Sequence, residues 1–242
     1  MQKFNVEFAK LNIEINCNYD YTKHFCRNYL AENKADFSIS VSEAEVEEEV
    51  ASSPYNPRPD YAESICVYRE IAKQLPLFNR MVFHGAVISY NGKGYLFTAP
   101  SGTGKTTHIS LWKKYVEGVD IVNGDKPILL VDGKTVEAFA TPYAGKEGFQ
   151  NGKSVPLAGL CLIKRGEVNG IRRVKPGEIL SEIMNQVFMP YEAETVVKTL
   201  DLLDAIFKNI PAYILECDIS ENAVKASFEA LTGESYGGKN EN

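Results

Sequence analysis

The chain has 242 residues, of which 44% are hydrophobic and 24% charged, and a formal net charge of −6. This length and balance fit one α/β domain, or a small domain joined to a medium one, and exclude wholesale disorder. The acidic balance excludes the broad basic face of a nucleic-acid binder, while leaving room for a small basic pocket.

The start MQKFNVEFAK lacks the basic, then apolar pattern of a signal peptide, and no stretch approaches the ~20 apolar residues of a membrane span. A cytoplasmic protein with no membrane partner is expected. Cys17, Cys26, Cys66, Cys161 and Cys217 are scattered and form no CxxC pair, so packing thiols are expected rather than disulfides or a zinc site.

Phe4, Val6, Phe8, Leu11, Ile13 and Ile15 alternate with polar residues, which predicts two short strands joined near Lys10. FSISV at 37–41 predicts a further strand, and the acidic run SEAEVEEEV at 42–50 a solvated face or helical turn. SSPYNPRPD at 52–60 is a loop by its prolines and turn formers. Ile65, Tyr68, Ile71, Ala72 and Leu75 share one helical face, so residues 61–75 are predicted helical, ending at Pro76.

Next come a predicted strand at 81–89, a hairpin turn at 90–94 and a buried strand, YLFT, at 95–98. A helix from Thr107 to Tyr115 and a strand at 120–123 follow, then strands at 128–131 and 135–140 around the turn Val131-Asp132-Gly133-Lys134. LAGLCLIK at 157–164 reads as a buried strand, 176–189 and 191–208 as amphipathic helices, 212–217 as a strand and 221–231 as a helix. The fold class is α/β, a mixed central sheet with a small strand-rich N-terminal region. The expected division is 1–78, 79–232 and a frayed tail at 233–242.

Chemistry concentrates at 99–106, APSGTGKT, between the buried strand and the following helix. A loop of this kind turns successive backbone N–H groups and a helix N-terminus toward anionic phosphate oxygens. Gly102 and Gly104 permit close backbone approach, Lys105 reaches the β- and γ-phosphates, and the Thr106 hydroxyl binds Mg²⁺. Ala99, Pro100, Ser101, Thr103 and Thr107 complete the candidate ATP cradle.

A metal-holding carboxylate is needed at the end of a neighbouring strand, and Asp125 fits; Asp132 reads as a structural hairpin residue. His84 is either a satisfied core histidine or a site residue. Lys146 and Lys153 lie in the glycine-rich stretch TPYAGKEGFQNGKS at 141–154, where a lysine could close over a transferring phosphoryl group; Lys153 reads better as a surface residue. Arg165 is a weaker candidate for nucleotide contact, and Arg172 and Arg173 read as a solvated hairpin edge.

The segments FHGAV, APSGTGKTT, NGDKP, TPYAGK and SVPL, in that order, resemble those of bacterial HPr-kinase-related proteins. The resemblance is specific from His84 to Leu162. The phosphate loop is also similar to that of ATP-dependent phosphoenolpyruvate carboxykinase, which shares the fold. The resemblance implies a PEP-carboxykinase-like P-loop fold and an ATP- and Mg²⁺-dependent kinase acting on a hydroxyl of a protein, peptide or small molecule, with a homo-oligomer left open. It implies that Thr106 and Asp125 hold Mg²⁺, that His84 lies beside the reacting hydroxyl and that Lys146 approaches the phosphates. The family pattern has two adjacent aspartates, a general base and then a metal ligand; here Gly124 takes the first position. The base then falls to His84 or Asp125, or the chain binds nucleotide with little turnover. A carboxykinase is disfavoured by the short chain.

Overall fold

The computed structural model describes residues 2–238. It opens with an antiparallel hairpin, β1 (Gln2–Phe8) and β2 (Leu11–Cys17), which turns through Ala9 and Lys10 at positive φ. The period-two pattern puts Phe4, Val6, Phe8, Ile13 and Ile15 on one buried face. After α1 (Asp20–Phe25), the strands β3 (Leu30–Ala31) and β4 (Phe37–Ser40) complete a four-stranded sheet, ordered β3-β1-β2-β4.

The acidic run forms a full helix, α2 (Glu43–Ser52), because Ser42 and Glu45 build a reciprocal capping box at its start. The next helix, α3 (Pro59–Gln74), begins on a proline, which suits the first turn. Its Cys66, Val67 and Ile71, with Leu75 just beyond its end, join Ile13 and Ile15 in one core.

The second half begins with β5 (Arg80–Val82), β6 (Ala86–Tyr90), β7 (Lys93–Thr98) and α4 (Lys105–Tyr115). Next come β8 (Asp120–Asn123), β9 (Ile128–Asp132), β10 (Thr135–Phe139), the long β11 (Ser154–Arg165) and β12 (Gly170–Val174). It closes with α5 (Leu180–Met184), α6 (Ala193–Asn209), β13 (Ala212–Cys217) and α7 (Glu221–Thr232). β11 pairs with β10 through Ser154, Val155 and Pro156, and then runs parallel to β7 and β13. That change of partner curls a mixed sheet. On its main face the order is β12-β13-β11-β7-β6-β8, with β6 antiparallel to both β7 and β8. The carboxyl ends of β7, β8, β11 and β13 therefore share one edge, which is where ligands collect in sheets of this kind.

The expected strand at 81–89 is broken. The backbone N–H groups of Phe83, His84 and Gly85 leave the ladder and donate to the carbonyls of Pro127, Gln186 and Asp125. A Cβ on Gly85 would come within 2.7 Å of Leu96 and 3.0 Å of the Phe97 carbonyl, so this close approach needs glycine. The expected helix at 176–189 is reduced to a 3₁₀ turn at Pro176–Glu178 and the short α5. The edge carrying Arg172 and Arg173 is a strand, β12, paired with β13.

Residues 239–242 of the expected tail lie outside the described residues. Before them, the Tyr236 hydroxyl donates to Glu221, and the ring packs edge-on against Phe228. All five cysteines are buried and free, and burial pushes the Cys17 thiol up to about 12. Among the described residues, no helix is long and apolar enough to cross a membrane.

Helix α4 is locked to α7 by a buried polar knot. Trp112 Nε1 donates to Ser227 Oγ at 2.8 Å, and His108 Nε2 lies 3.1 Å from the same hydroxyl. Burial pushes the His108 imidazole down to about 4 from an ordinary 6.5. The unfolded chain therefore binds this proton more readily than the folded one, and stability falls as pH drops through that interval. The loss should total about 3 kcal/mol, at about 1.4 kcal/mol per pH unit. Urea unfolding of the wild type and of His108→Gln at pH 7 and pH 4 checks it: the variant should lose markedly less stability on acidification, and an identical loss would contradict the assignment.

Candidate functional site

The loop after β7 leaves Thr98 through the buried Ala99 and turns on Gly102 and Gly104, whose φ values are 77° and 123°. Neither conformation suits a side chain. Helix α4 then begins at Lys105, and its first turn has no side-chain cap. Its leading N–H groups and the positive end of its dipole are therefore left without a side-chain cap, an arrangement that favours an anion.

Arg165, at the end of β11, braces this loop: its Nε donates to the Thr103 carbonyl at 3.2 Å, and its Nη2 donates to the Gly102 carbonyl. Because a peptide unit is planar, a Thr103 carbonyl turned toward Arg165 directs the Gly104 N–H the opposite way. Arg165 thus acts on the loop backbone. Lys105 is buried, with Nζ donating to the Ala99 carbonyl at 2.9 Å. Burial pushes its ammonium down, while Asp125 pulls it back up.

Asp125 follows β8 in a turn built by Asn123. The fully buried Asn123 side chain accepts from the Asp125 and Lys126 N–H groups at 3.0 and 2.9 Å and donates to the Thr141 carbonyl at 3.0 Å. The turn thereby presents the Asp125 carboxylate to His84, whose Nε2 lies 3.3 Å from Oδ1, and to Lys126, 3.8 Å from Oδ2. Burial pushes the Asp125 carboxyl up. The His84 hydrogen bond and the charges of Lys126, His84 and Lys105 outweigh this and leave it below its ordinary value. His84 Nδ1 lies 2.7 Å from Gln186 Oε1, and the His84 carbonyl accepts from Thr98 Oγ1 at 2.8 Å. One cluster therefore links the strand entering the loop, the histidine and the carboxylate.

The α3 helix reaches this cluster too. The Tyr68 hydroxyl donates to the Lys126 carbonyl at 2.8 Å, and its ring stacks on Tyr143 at 3.8 Å.

Of the two lysines of the glycine-rich loop, Lys146 is exposed, one residue beyond Gly145, whose Cβ position lies 3.3 Å from Asp125 Cβ. Lys153 is exposed beside a separate cavity bordered by β1 and β10 residues. Thr106 is half-buried in the first turn of α4, and Thr107 and Ser101 are exposed.

One residue of the cluster carried no chemical signal in the sequence: Gln186, inside an apparent amphipathic segment. Asn123 was findable, because Asn before Gly-Asp is a side-chain-stabilised turn signal.

Around the loop lie two kinds of space. On the β11 and β13 side, a cavity of about 560 Å³ is walled by Leu111, Ile163 and Ile219, with Asp218 and Arg165 at its edge. On the β6 and β8 side lie His84 and Asp125.

No family model and no curated protein matches the chain. Among solved structures it is similar to the Hpr(Ser) kinase/phosphatase from Coxiella burnetii. That match has 11% identity, a TM-score of 0.35, and covers 63% of this chain and 93% of that one.

Gly124 has a steric reason. A Cβ there would meet the Ala144 carbonyl at 2.8 Å and Phe149 Cβ at 3.3 Å, while the Gly124 N–H donates to the Phe149 carbonyl at 2.8 Å. Gly124→Ala should displace the 144–149 loop and cost about 1–3 kcal/mol, the usual penalty of overpacking. Thermal unfolding together with hydrogen exchange at residues 144–149 checks this; unchanged stability and protection would contradict it.

Proposed function

We propose that the protein binds ATP·Mg²⁺ on the 99–107 loop and transfers the γ-phosphoryl group to an acceptor hydroxyl. The carrying observation is the conformation of the loop: two glycines at positive φ, an uncapped helix start, and a buried lysine within electrostatic reach of Asp125. In this reading the N-terminal region, 1–78, packs against a PEP-carboxykinase-like P-loop region, 79–232.

The residues of the loop divide the task. The backbone N–H groups of Gly102 and of Gly104 to Thr107 receive the phosphates, with the Ser101 and Thr103 hydroxyls as additional donors; the Thr103 N–H donates to the Pro100 carbonyl, and Ala99 and Pro100 set the entry of the loop. Lys105 leaves the Ala99 carbonyl for the β- and γ-oxygens. The apolar walls of the 560 Å³ cavity take the base. Lys146, exposed next to the Asp125 side of the site, has the reach of a long side chain to close on the γ-phosphate.

Mg²⁺ favours oxygen ligands and is bound through one or two carboxylates plus substrate phosphates. The Thr106 hydroxyl and an Asp125 carboxyl kept ionised by its neighbours fit that donor set. When bound, the ion would neutralise charge on the β- and γ-oxygens.

In the transfer, the acceptor oxygen forms a bond to the γ-phosphorus as the bond from that phosphorus to the bridging oxygen breaks. The bond electrons leave with ADP. With His84 Nδ1 facing Gln186 and Nε2 facing Asp125, the hydroxyl proton passes to the His84–Asp125 pair, which shares the charge formed. Positioning and electrostatics supply most of the acceleration in such reactions.

A second reading, nucleotide binding without turnover, is favoured by the closed backbone packing around Gly124. Transfer of a labelled γ-phosphate to an acceptor separates the two; ATP affinity does not.

Lys105→Ala tests the binding step. One charge pair at ~4 Å is worth ~4 kcal/mol at an effective dielectric of ~20, so calorimetric affinity for ATP·Mg²⁺ should fall by ~100-fold or more. Unchanged affinity in a folded variant would sink the reading.

A further inference from the structure

His84 also lines a second, open pocket. A cavity of about 310 Å³ opens between α3 and residues 185–188, and the His84 ring forms part of its wall. The larger cavity borders the 99–107 loop and the ends of β11 and β13, whereas this one shares no lining residue with it and reaches the neighbourhood of Asp125 through His84 and Lys126.

The lining has a definite chemistry. Ile65, Val82 and Phe188 supply apolar walls, Arg69 and Lys126 supply two cations, and no acidic side chain lines the space. Arg69 already hydrogen-bonds Glu49 through Nη2, but a guanidinium has five N–H donors. Lys126 sits 3.8 Å from Asp125, at the outer limit of an ion pair, with donors to spare. The volume is near the lower end of the ~300–1,000 Å³ typical of ligand sites, which suits a small molecule and not a folded protein.

We infer that this cavity is the acceptor site, and that the acceptor is a small hydroxy acid. Its carboxylate binds Arg69 and Lys126, its apolar carbons lie against Ile65, Val82 and Phe188, and its hydroxyl faces His84. The inference rests on the phosphotransferase reading. It also gives the N-terminal region a task, because α3 supplies Arg69 and Ile65 and so selects the substrate.

The test uses the full chain, γ-labelled ATP and a panel of lactate, serine, malate and mandelate, with serine-containing peptides alongside. Nucleotide affinity is measured separately by calorimetry. Label should appear on at least one hydroxy acid. Arg69→Leu should raise the KM for that acid by roughly tenfold or more, the effect of one lost charge-assisted hydrogen bond, with nucleotide affinity within about twofold. Glu49→Gln breaks the same ion pair but frees the guanidinium, and should lower that KM or leave it unchanged; a rise matching that of Arg69→Leu would mean only structure was lost and would overturn the assignment. Labelled peptides with no labelled hydroxy acid, or a KM indifferent to Arg69→Leu, would also overturn it. Intact ATP binding with no label on any of the acids overturns the acceptor assignment alone. Absence of ATP binding overturns the underlying reading.

Discussion

Burying the Asp125 carboxyl costs free energy, and its surroundings offset that cost with one hydrogen bond from His84 and the charges of Lys126 and Lys105. Each of these partners comes from a different part of the chain: the break between β5 and β6, the turn after β8 and the first residue of α4. The carboxylate therefore ties the phosphate loop to the neighbouring strands. Its own position depends on Asn123, whose side chain receives two backbone N–H groups and whose amide anchors the turn to Thr141. Tyr68 extends the same bracing to α3 through the Lys126 carbonyl.

The turn at 99–106 between β7 and α4 was legible because its requirements are local. Glycines that need positive φ, a lysine and a threonine must follow one another directly, and a strand and helix must flank them. The strands β1, β2, β7 and β13 were legible for a related reason, since their apolar periods are strong. The break at Phe83-His84-Gly85 was not. It arises because those N–H groups find partners at Asp125, Pro127 and Gln186, far along the chain. The same holds for Gln186, which meets His84 from a distant part of the chain. The short α1 and β3 were missed because six- and two-residue elements carry too little periodicity. The acidic run at 42–50 was read as a helical turn at most, and a single capping box made it a ten-residue helix.

Gly124 shows how a residue singled out in the sequence acquires a physical meaning in the fold. From sequence it is a missing carboxylate beside Asp125. In the fold it is a contact point, with the 141–150 loop lying against its backbone. An added aspartate at this position must first move that loop, so it cannot act as a simple restoration of a base. In the proposed transfer the proton-accepting role then falls on the pair already in contact, His84 and Asp125.

The most direct measurement is a crystal structure with a non-hydrolysable ATP analogue and Mg²⁺. The account predicts the β- and γ-phosphates on the N–H groups of the 102–107 turn, the base between Leu111 and Ile163, and the γ-phosphate directed at His84 and Asp125. A nucleotide bound with its base on the His84 side, or away from the loop altogether, would contradict it.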